Sequence, residues 1–429
     1  MALTPSTASR TWLEEEVLRR DFLGVQPGLE RIASVLEALG SPHHRLGKVL
    51  LVAGTNGKGS AAAFAESLLR HAGFAVTLNT SPHLADICER LRVNGLDVEP
   101  RALDAAARRV AAAERSADRL LTGFELVTAA CFEAAATARP DYSVVEVGMG
   151  GLLDATNVVT PTVSVITPVG LDHTDRLGPD LVSIARQKFG ITRPNVPCVC
   201  ARQADAVGAF LCGQARSASV PLLIEGRDFV AGGTPEAFRF DGLGSSLSGL
   251  RLGLQGRYQV SNAGVALASC LAAVQDAPRI EKAAAPALTG VRWPGRFDMR
   301  DVDGSAVLFD GAHNGHGAEA LAAAFVAAFP ERPAVLIALK KGKDAAAVLA
   351  PIARIASRLL FTTLPGTPGY DPEELAQLAP SGLPCEVVRD PDAALLLLAK
   401  AGGRPGMALC CGSLYLVGYY LARLGRGAD

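Results

Sequence analysis

The sequence lacks the features that mark several classes of protein. Its formal net charge is −1 over 429 residues, and it contains no long run of lysine or arginine. We therefore expect neither nucleic acid nor an anionic membrane to be the main partner. Apolar runs such as residues 334–339 are too short to cross a bilayer, so we predict no membrane-spanning segment.

Cysteine spacing and the N-terminal residues narrow the choice further. Two close pairs occur, Cys198 with Cys200 and Cys410 with Cys411, but neither has the spacing of a zinc site. We expect reduced, mostly buried thiols rather than a disulfide framework. Residues 1–21 lack the apolar core of a signal peptide, which leads us to expect a cytoplasmic protein.

The sequence does contain an alternation of short β-rich runs with longer alanine-rich segments. Apolar residues make up 49% of the chain, enough for a large core. Such alternation predicts a mostly parallel sheet covered on both faces, with ligands bound beyond the carboxyl ends of its strands. We predict strands at residues 49–53, 144–147, 163–167, 307–309, 334–338, 359–362 and 407–410. We predict helices at residues 60–71, 101–116, 125–137, 262–274, 315–328 and 344–355.

Two further segments interrupt the predicted alternation of strands and helices. Residues 229–256 are rich in glycine and serine with alternating apolar positions, a pattern that favours β-strands and turns in a small accessory sheet. Residues 291–297 contain a Pro-Gly break, after which the strand–helix alternation restarts. We therefore predict two domains, residues 1–295 and residues 296–429.

The stretch AGTNGKGS lies between a predicted strand and a predicted helix. Its glycines would let backbone N–H groups converge on an anion at the helix N-terminus. Lys58 would contact phosphate oxygens, and the hydroxyl of Ser60 would meet a Mg²⁺ ion. The spacing Gly54-x-x-Gly57-Lys58-Gly59-Ser60 differs from GxxxxGK[ST]. The alternative is an ordinary strand–helix turn with a solvated lysine.

Polar side chains also follow other predicted strands. Glu146 falls near the end of an apolar run, where a carboxylate is costly unless a cation such as Mg²⁺ compensates it. His173 follows another strand between Asp172 and Asp175. Asp310 follows a strand of the second domain, a common place for an acidic residue that contacts a ribose. The alternatives are a salt bridge or solvent exposure for Glu146 and a structural role for His173.

Some positions carry little signal on their own. Ser81 before a proline favours a turn, and Lys188 near a helix end is ordinarily a solvated surface group. Taken together, the patterns indicate a two-domain α/β protein with a nucleotide loop in the first domain and polar strand ends in both. This combination favours an ATP-using ligase or kinase with its chemistry in the cleft between the domains.

Eight motifs lie in order along the chain: AGTNGKGS, TSPHL, EVGMGGLLDATN, LDHTDRLG, GRYQVSNA, WPGRF, DGAHN and CGSLYLVG. In this order the chain resembles the folylpolyglutamate synthase/dihydrofolate synthase family, which is related to the Mur ligases of peptidoglycan synthesis. The resemblance implies an ATP-binding phosphate-loop domain of the Mur ligase central type over residues 1–295, with a parallel sheet and a small accessory β-sheet. It implies a smaller Rossmann-like α/β glutamate-ligase domain over residues 296–429.

The resemblance also implies an activity, that of an ATP-dependent acid–amino-acid ligase in folate biosynthesis. ATP would phosphorylate a pterin carboxylate, and the amine of L-glutamate would attack the acyl phosphate to give an amide, ADP and phosphate. The acyl substrate would be dihydropteroate, a reduced folate, or both. Mg²⁺ is the implied metal, and the protein would be a monomer whose domains close around the substrates.

Individual residues take roles from the same resemblance. Catalytic residues would be Lys58, His173 and Lys188, the last of which matches a lysine that is carbamylated in the family. ATP contacts would come from Gly54, Thr55, Asn56, Gly57, Lys58, Gly59, Ser60, Asn262, Arg296 and Asp310. Mg²⁺ ligands would be Ser81, Glu146 and His173. Pterin contacts would come from Thr122, Gly123, Phe124, Glu125, Leu153, Asp154 and Ala155, and glutamate contacts from His313 and Ser413.

The sequence departs from the family pattern mainly on the pterin side. Gln26 stands where the family often has aspartate, Gly123 where it often has an aromatic residue, and Leu152 where it often has arginine. Gln187 and Phe189 replace the usual neighbours of the matched lysine. Two alternatives therefore stay open: a Mur-type ligase that joins glutamate to a different carboxylate, and a nucleotide-binding relative without catalysis.

Overall fold

The computed structural model describes residues 11–401 and 407–425, in which three sheets organise the chain. An eight-stranded sheet and a three-stranded sheet lie in the N-terminal part, which we call the first unit. A six-stranded sheet lies in the C-terminal part, which we call the second unit. The two larger sheets are mostly parallel and carry helices, as the alternation of runs predicts.

The large sheet of the first unit has the order β4-β3-β2-β5-β1-β6-β7-β8. Strands β2, β5, β1, β6, β7 and β8 are parallel, and β3 and β4 extend one edge as an antiparallel hairpin. The strands are β1 Lys48–Ala53, β2 Val76–Asn79, β3 Leu91–Val93, β4 Leu96–Asp97, β5 Tyr142–Glu146, β6 Pro161–Ile166, β7 Cys198–Cys200 and β8 Leu222–Ile224.

Helices cover both faces of this sheet. Contacts are densest between α3 and α9 on one face and between α4 and α5 on the other. The helices are α1 Trp12–Arg19, α2 Glu30–Ala38, α3 Lys58–His71, α4 Pro100–Ala117, α5 Gly123–Thr137, α6 Thr174–Leu177, α7 Leu181–Phe189, α8 Asp205–Ser217, α9 Tyr258–Val274 and α10 Ala277–Gly290.

The central strand β1 shows why the sequence folds in this way. Its residues alternate between faces: Leu50 and Val52 join the core under α3 and α9, whereas Val49 and Leu51 join the core under α4 and α5. Because both faces are covered, the strand is apolar without interruption rather than alternating. This continuous apolar run is the pattern that predicted the strand.

The accessory sheet is antiparallel, with the order β11-β10-β9. Its strands are β9 Phe229–Thr234, β10 Ala237–Gly242 and β11 Ser245–Leu250. The buried rings of Phe229, Phe238 and Phe240 pack into the core that also contains residues of α9. The prediction of a small β-rich insertion over residues 229–256 is confirmed.

The six-stranded sheet of the second unit has the order β12-β13-β17-β14-β15-β16, with only the β12–β13 pair antiparallel. The strands are β12 Asp298–Val302, β13 Ser305–Phe309, β14 Ala334–Ile337, β15 Arg358–Phe361, β16 Cys385–Val387 and β17 Ala408–Cys411. The helices are α11 Gly315–Ala328, α12 Ala345–Ile355, α13 Pro372–Gln377, α14 Pro391–Ala401 and α15 Leu414–Leu424.

Each strand and helix predicted from the sequence is present within a few residues of its expected bounds. The sequence patterns did not single out several elements, from the three-residue strands β7, β8 and β16 to the longer helices α8 with 13 residues and α10 with 14. All nine cysteines are free, and seven of them are buried, as expected. The domain bounds 1–295 and 296–429 stay our proposal, and residues 1–10, part of the segment behind the cytoplasmic expectation, lie outside the described residues.

No helix within residues 11–401 and 407–425 is both long enough and apolar enough to cross a membrane.

We predict that Phe240→Ala weakens the first unit. The ring is 1% exposed and fills the space between the accessory sheet and α9, so its removal should lower the free energy of unfolding by about 3–5 kcal/mol. Arg239→Ala is the matched control, because Arg239 lies on the exposed face of the same strand. Denaturant unfolding of both variants measures the difference, and equal midpoints would contradict the packing role of the ring.

Candidate active site

A cavity of about 350 Å³ lies where residues beyond the carboxyl ends of strands from both large sheets meet. Its walls come from the loop after β1, the ends of β5 and β6, helix α9 and several loops of the second unit. This is the edge at which parallel sheets bind ligands. The following predicted residues line it: Gly54, Thr55, Asn56, Gly57, Lys58, Gly59, Ser60, Ser81, Glu146, His173, Lys188, Asn262, Arg296, Asp310, His313 and Ser413.

The glycines of the loop after β1 allow it to pass close to other elements. Gly54 and Gly57 have φ values of 147° and 86°. A Cβ atom on Gly54 would lie 1.8 Å from Oγ1 of Thr167, and one on Gly57 would lie 2.3 Å from Oδ1 of Asn262. Both positions therefore require glycine for space as well as for conformation.

Lys58 and Ser60 begin α3, directly after the loop. The ammonium of Lys58 donates to the carbonyl of Thr55 at 3.3 Å and lies 4.0 Å from Oε1 of Glu146. Gln259 donates from Nε2 to the hydroxyl oxygen of Ser60 at 3.3 Å. The positive end of the helix and the lysine thus point at the same space, which is the arrangement that holds phosphates.

Glu146 is a buried carboxylate at the end of β5, 5% exposed. Burial raises its pKa, and the nearby charge of Lys58 opposes that shift. Its Oε2 accepts a hydrogen bond from the backbone N–H of Ser81 at 3.1 Å, which brings two of the predicted metal ligands together. A carboxylate this deeply buried is stabilised by a cation beside it.

His173 lies in the segment after β6 and takes a positive φ of 51°. The His173 side chain is 43% exposed, and its partial burial lowers the pKa of the imidazole to about 4, so the neutral form that binds metals predominates near pH 7. The pKa of the neighbouring carboxylate of Asp172 is also lowered, which in an acid favours the charged form. Burial alone would raise the pKa of Asp172, but a hydrogen bond with His313 and the charge of Lys343 hold it well below its usual range.

Lys188 is not the solvated surface lysine that its position in the sequence favours. It is 3% exposed, and its ammonium donates to the carbonyl of Gly54 at 2.7 Å. Burial, together with the charge of Lys58, lowers the pKa of Lys188 to about 7. The amine is therefore largely neutral in mildly alkaline solution, and a neutral amine is the form that reacts with CO₂ to give a carbamate.

The second unit, together with the linker at residues 291–297 between α10 and β12, contributes the predicted ribose and phosphate contacts. Asp310 follows β13, where its Oδ2 accepts from the hydroxyl of Tyr258 at 2.7 Å and from the backbone N–H of Phe297 at 2.9 Å. Arg296 lies in the linker and donates from one guanidinium nitrogen to the carbonyl of Gly295 at 3.0 Å. The remaining guanidinium donors are available to a phosphate in the cavity, a pairing that arginine favours.

The predicted glutamate-side residues, His313 and Ser413, come from two loops of the second unit. The imidazole Nδ1 of His313 lies 2.8 Å from the carbonyl oxygen of Gly311, and its Nε2 lies 3.5 Å from Oδ2 of Asp172. The hydroxyl of Ser413 caps α15 by accepting from the backbone N–H of Tyr415 at 3.1 Å. Both side chains therefore have fixed orientations at the cavity wall.

The predicted pterin-side residues lie behind or beside the cavity rather than in its wall. Phe124 and Asp154 are closest, since a Cβ on the wall residue Gly148 would lie 2.4 Å from the Phe124 ring and 3.1 Å from an Asp154 oxygen. Thr122 and Glu125 form a capping box at the start of α5. The other positions are Gly123 against Val17, the buried Ala155 and the half-exposed Leu153. Their roles stay predictions.

The predicted metal ligands Ser81, Glu146 and His173 have side chains of the kinds that bind a divalent ion. Within the described ranges, no three His, Cys, Asp or Glu side chains come together as a ready-made metal site. Ser81, Glu146 and His173 nevertheless line one cavity, and they offer a hydroxyl, a buried carboxylate and a neutral imidazole. An ion such as Mg²⁺ completes its shell with water and substrate phosphate oxygens, so a partial protein set of this kind fits.

Several cavity residues were not identified as site residues from the sequence. Four of them line the cavity, Asp172, Tyr258, His316 and Lys343, and two more, Gln259 and Asn314, donate hydrogen bonds to the lining residues Ser60 and Asp172. A local signal existed for two of them, because Asp172 precedes the predicted ligand His173 and Lys343 follows a predicted strand. Their pairing partners are distant in sequence, and no local pattern shows that they meet.

Comparisons with known proteins agree with this geometry. Residues 52–270 match the Mur ligase middle domain, and residues 295–414 match the Mur ligase, glutamate ligase domain. The dihydrofolate synthase/folylpolyglutamate synthase of Escherichia coli is 33% identical over 400 residues, covering 92% of this chain and 90% of the relative. A probable bifunctional folylpolyglutamate synthase/dihydropteroate synthase of Halobacterium salinarum is 39% identical over 303 residues, and the match covers 68% of this chain and only 36% of that longer relative.

Solved structures resemble the whole fold. Escherichia coli FolC in complex with DHPP and ADP gives a TM-score of 0.87 at 31% identity, covering 97% of this chain and 98% of that chain. A bifunctional folylpolyglutamate synthase/dihydrofolate synthase with Mn, AMPPNP and L-glutamate bound gives a TM-score of 0.86 at 28% identity, covering 98% and 99%.

A phosphate loop, a second α/β unit across the cavity and matches to two Mur ligase domains define an ATP-dependent ligase of the Mur type. Within that class, the chain belongs to the folylpolyglutamate synthase/dihydrofolate synthase family. The resemblance drawn from eight sequence motifs is thereby confirmed.

We predict that Gly54→Ala weakens nucleotide binding. The new methyl group would collide with Thr167 and displace the loop, so ADP affinity should fall by about tenfold or more. Gly290→Ala is the control, because no atom lies within 4 Å of its Cβ position. Titration calorimetry with ADP measures both variants, and an unchanged dissociation constant for Gly54→Ala would contradict the assignment of the loop.

We also predict that Lys188 forms a carbamate. With its pKa at about 7, more of the amine is neutral at about pH 8 than at about pH 6, so the carbamate should increase with pH across that interval. The NMR spectrum in ¹³C-bicarbonate should show a carbamate signal that Lys188→Gln removes and that the exposed-site control Lys282→Gln keeps. A signal that persists in Lys188→Gln would place the modification elsewhere.

Proposed function

We propose that this chain joins L-glutamate to the carboxylate of a pterin substrate, dihydropteroate or a reduced folate, at the expense of ATP. The observation that carries the proposal is the shared cavity. It combines a phosphate loop and buried Glu146 from the first unit with Arg296, His313 and Ser413 from the linker and second unit. Three substrates can meet only where both units contribute.

Phosphate positioning is the first task of the site. The loop N–H groups, Lys58 and the N-terminus of α3 would hold the phosphate chain, and Arg296 would approach it from the other side of the cavity. Asn262 and Asp310 would contact the nucleoside end. Phosphoryl transfer needs little covalent work from a protein, so placement and charge neutralisation account for most of the catalysis.

Ser81, Glu146 and His173 would hold a Mg²⁺ ion, with a carbamate on Lys188 as a further anionic group. A bound divalent ion supplies charge neutralisation between the phosphate oxygens. A relative solved with AMPPNP also has Mn bound, which supports the use of a divalent ion together with the nucleotide. Lys188 lies against the loop through its contact with the carbonyl of Gly54, near enough to the phosphates for a change of its charge to matter.

Amide formation follows from the same placement. The pterin carboxylate oxygen attacks the γ-phosphorus of ATP, the bond to the ADP oxygen breaks, and an acyl phosphate forms. The amine of glutamate then attacks the acyl carbon, loses a proton, and expels inorganic phosphate. His313 and Ser413 would place the amino acid for this attack, because both lie on the second-unit side of the cavity.

The pterin would bind on the side of the first unit that contains α5. Phe124 and Asp154 flank Gly148, which lines the cavity, so this wall gives an aromatic ring and a carboxylate behind a glycine. Relatives support both acceptors, since DHPP is bound in one structure and names of relatives include both synthase activities. The cytoplasmic location and the monomeric state stay predictions.

A turnover assay tests the proposed function directly. ADP release should depend on both L-glutamate and a pterin acid, and the product mass should increase by one glutamyl residue per cycle. Dihydropteroate and tetrahydrofolate, tested separately, distinguish the two acceptors. ADP release that is indifferent to both pterins would overturn the proposed substrate class and favour a different carboxylate.

Glu146→Gln tests the predicted metal ligand. Loss of one negative charge at a buried position should lower kcat by about 100-fold or more and weaken the dependence on Mg²⁺. Glu37→Gln is the control, because Glu37 is an exposed carboxylate on α2. Equal kcat values for the two variants would exclude Glu146 from the chemistry.

A further inference from the structure

Asp172 receives side-chain contacts from three residues of the other unit. It follows β6 in the first unit, and its side chain is 9% exposed. Lys343 donates to its Oδ1 at 2.5 Å, Asn314 donates to its Oδ2 at 2.9 Å, and Nε2 of His313 lies 3.5 Å from Oδ2. All three partners come from loops of the second unit, so this carboxylate joins the two units.

The same contacts reach the phosphate loop. Asn314 forms a reciprocal amide pair with Asn56, in which each side chain donates to the other at 3.0 and 3.2 Å. Asn56 also lies 2.8 Å from Nδ1 of His316. The amide nitrogen of Asn314 therefore donates both to Asn56 in the phosphate loop and to Asp172. We call Asn56, Asp172, His313, Asn314 and Lys343 the Asp172 cluster.

Burial gives the ion pair of this cluster more weight than a surface pair. The Lys343 side chain is 13% exposed, close to the value for Asp172, so water screens the pair poorly. Removing one partner leaves the other charge buried and uncompensated. The backbone of Lys343 is itself fixed, since Tyr370 donates from its hydroxyl to the Lys343 carbonyl at 2.9 Å.

Asp310, the predicted ribose contact of the second unit, has fixed contacts of its own. Asp310 is fixed by Tyr258 and by the backbone N–H of Phe297, and neither contact involves the Asp172 cluster. Loss of Asp172 should therefore disturb the loops that contain His313 and Lys343 most strongly, while Asp310 keeps its contacts with Tyr258 and Phe297.

We propose that Asp172 is a positioning residue that holds the second unit closed against the phosphate loop and thereby places His313 for the amino-acid substrate. This inference rests on the proposed function for its kinetic readout. It makes a specific prediction: loss of the carboxylate impairs amino-acid use more than nucleotide binding.

The test compares Asp172→Asn with Asp175→Asn. Asparagine keeps the shape of Asp172 but cannot form an ion pair, whereas Asp175 is exposed on the following short helix and pairs only with its neighbour Arg176 among the described salt bridges. In Asp172→Asn, the KM for glutamate should rise by about tenfold or more, and the ADP dissociation constant should change by a clearly smaller factor. Asp175→Asn should match the wild type in both.

A second variant keeps the test valid if Asp172→Asn folds poorly. Lys343→Gln removes the other charge of the pair and should raise the glutamate KM in the same direction. The double variant should be no worse than the more impaired single variant, because both substitutions remove one interaction. Additive losses would show that the two side chains act independently and would overturn the proposal.

A distance measurement separates this proposal from the proposed function. Cys385 is exposed in the second unit and Cys212 is partly exposed in the first, whereas the other seven cysteines are buried, so spin labels can be attached without new cysteines. With ADP bound, Asp172→Asn should broaden the distribution of distances between the two spin labels, or shift it to longer distances, relative to Asp175→Asn.

If the wild type lacks glutamate-dependent turnover but this difference is present, the proposed function fails and the positioning role stands. Identical distributions for the two variants would overturn the positioning role.

Discussion

The direction of the parallel strands is the constraint on which the rest of the structure depends. In each large sheet the carboxyl ends of the parallel strands lie at one edge, and residues beyond both edges line the same cavity. The loop after β1 and the segments after β5 and β6 therefore meet the loops after β13, β14 and β17. Hydrogen bonds from Asn314 to Asn56 and Asp172 hold the two sides together.

Burial of charge gives this cavity its chemical character. Glu146, Lys188 and Asp172 are each removed from water, and each pKa is moved from its ordinary value. Isolated buried charges are costly, so Glu146 depends on Lys58, Asp172 depends on Lys343, and both benefit from charged ligands of the cavity. A site of this kind is arranged to bind a negatively charged nucleotide together with a divalent cation.

Local patterns in the sequence were sufficient for much of the fold and for one side of the site. Buried strands such as β1 appear as uninterrupted apolar runs, and the glycines of the phosphate loop are visible because strand and helix flank them. The Asp172–Lys343 pair was beyond such patterns, since its partners are 171 positions apart. Lys188 was wrongly predicted to be an exposed lysine, because the exposure of a helical side chain depends on which other elements pack against the helix. Only the resemblance to a family led to a predicted role for Lys188 in the site.

The central claim is that ATP activates a pterin carboxylate as an acyl phosphate inside this cavity. The most direct measurement is the fate of oxygen in one round of synthesis with a pterin acid whose carboxylate carries ¹⁸O. Transfer through an acyl phosphate predicts that one labelled oxygen leaves in inorganic phosphate for each amide formed. Amide formation with unlabelled phosphate would contradict the account.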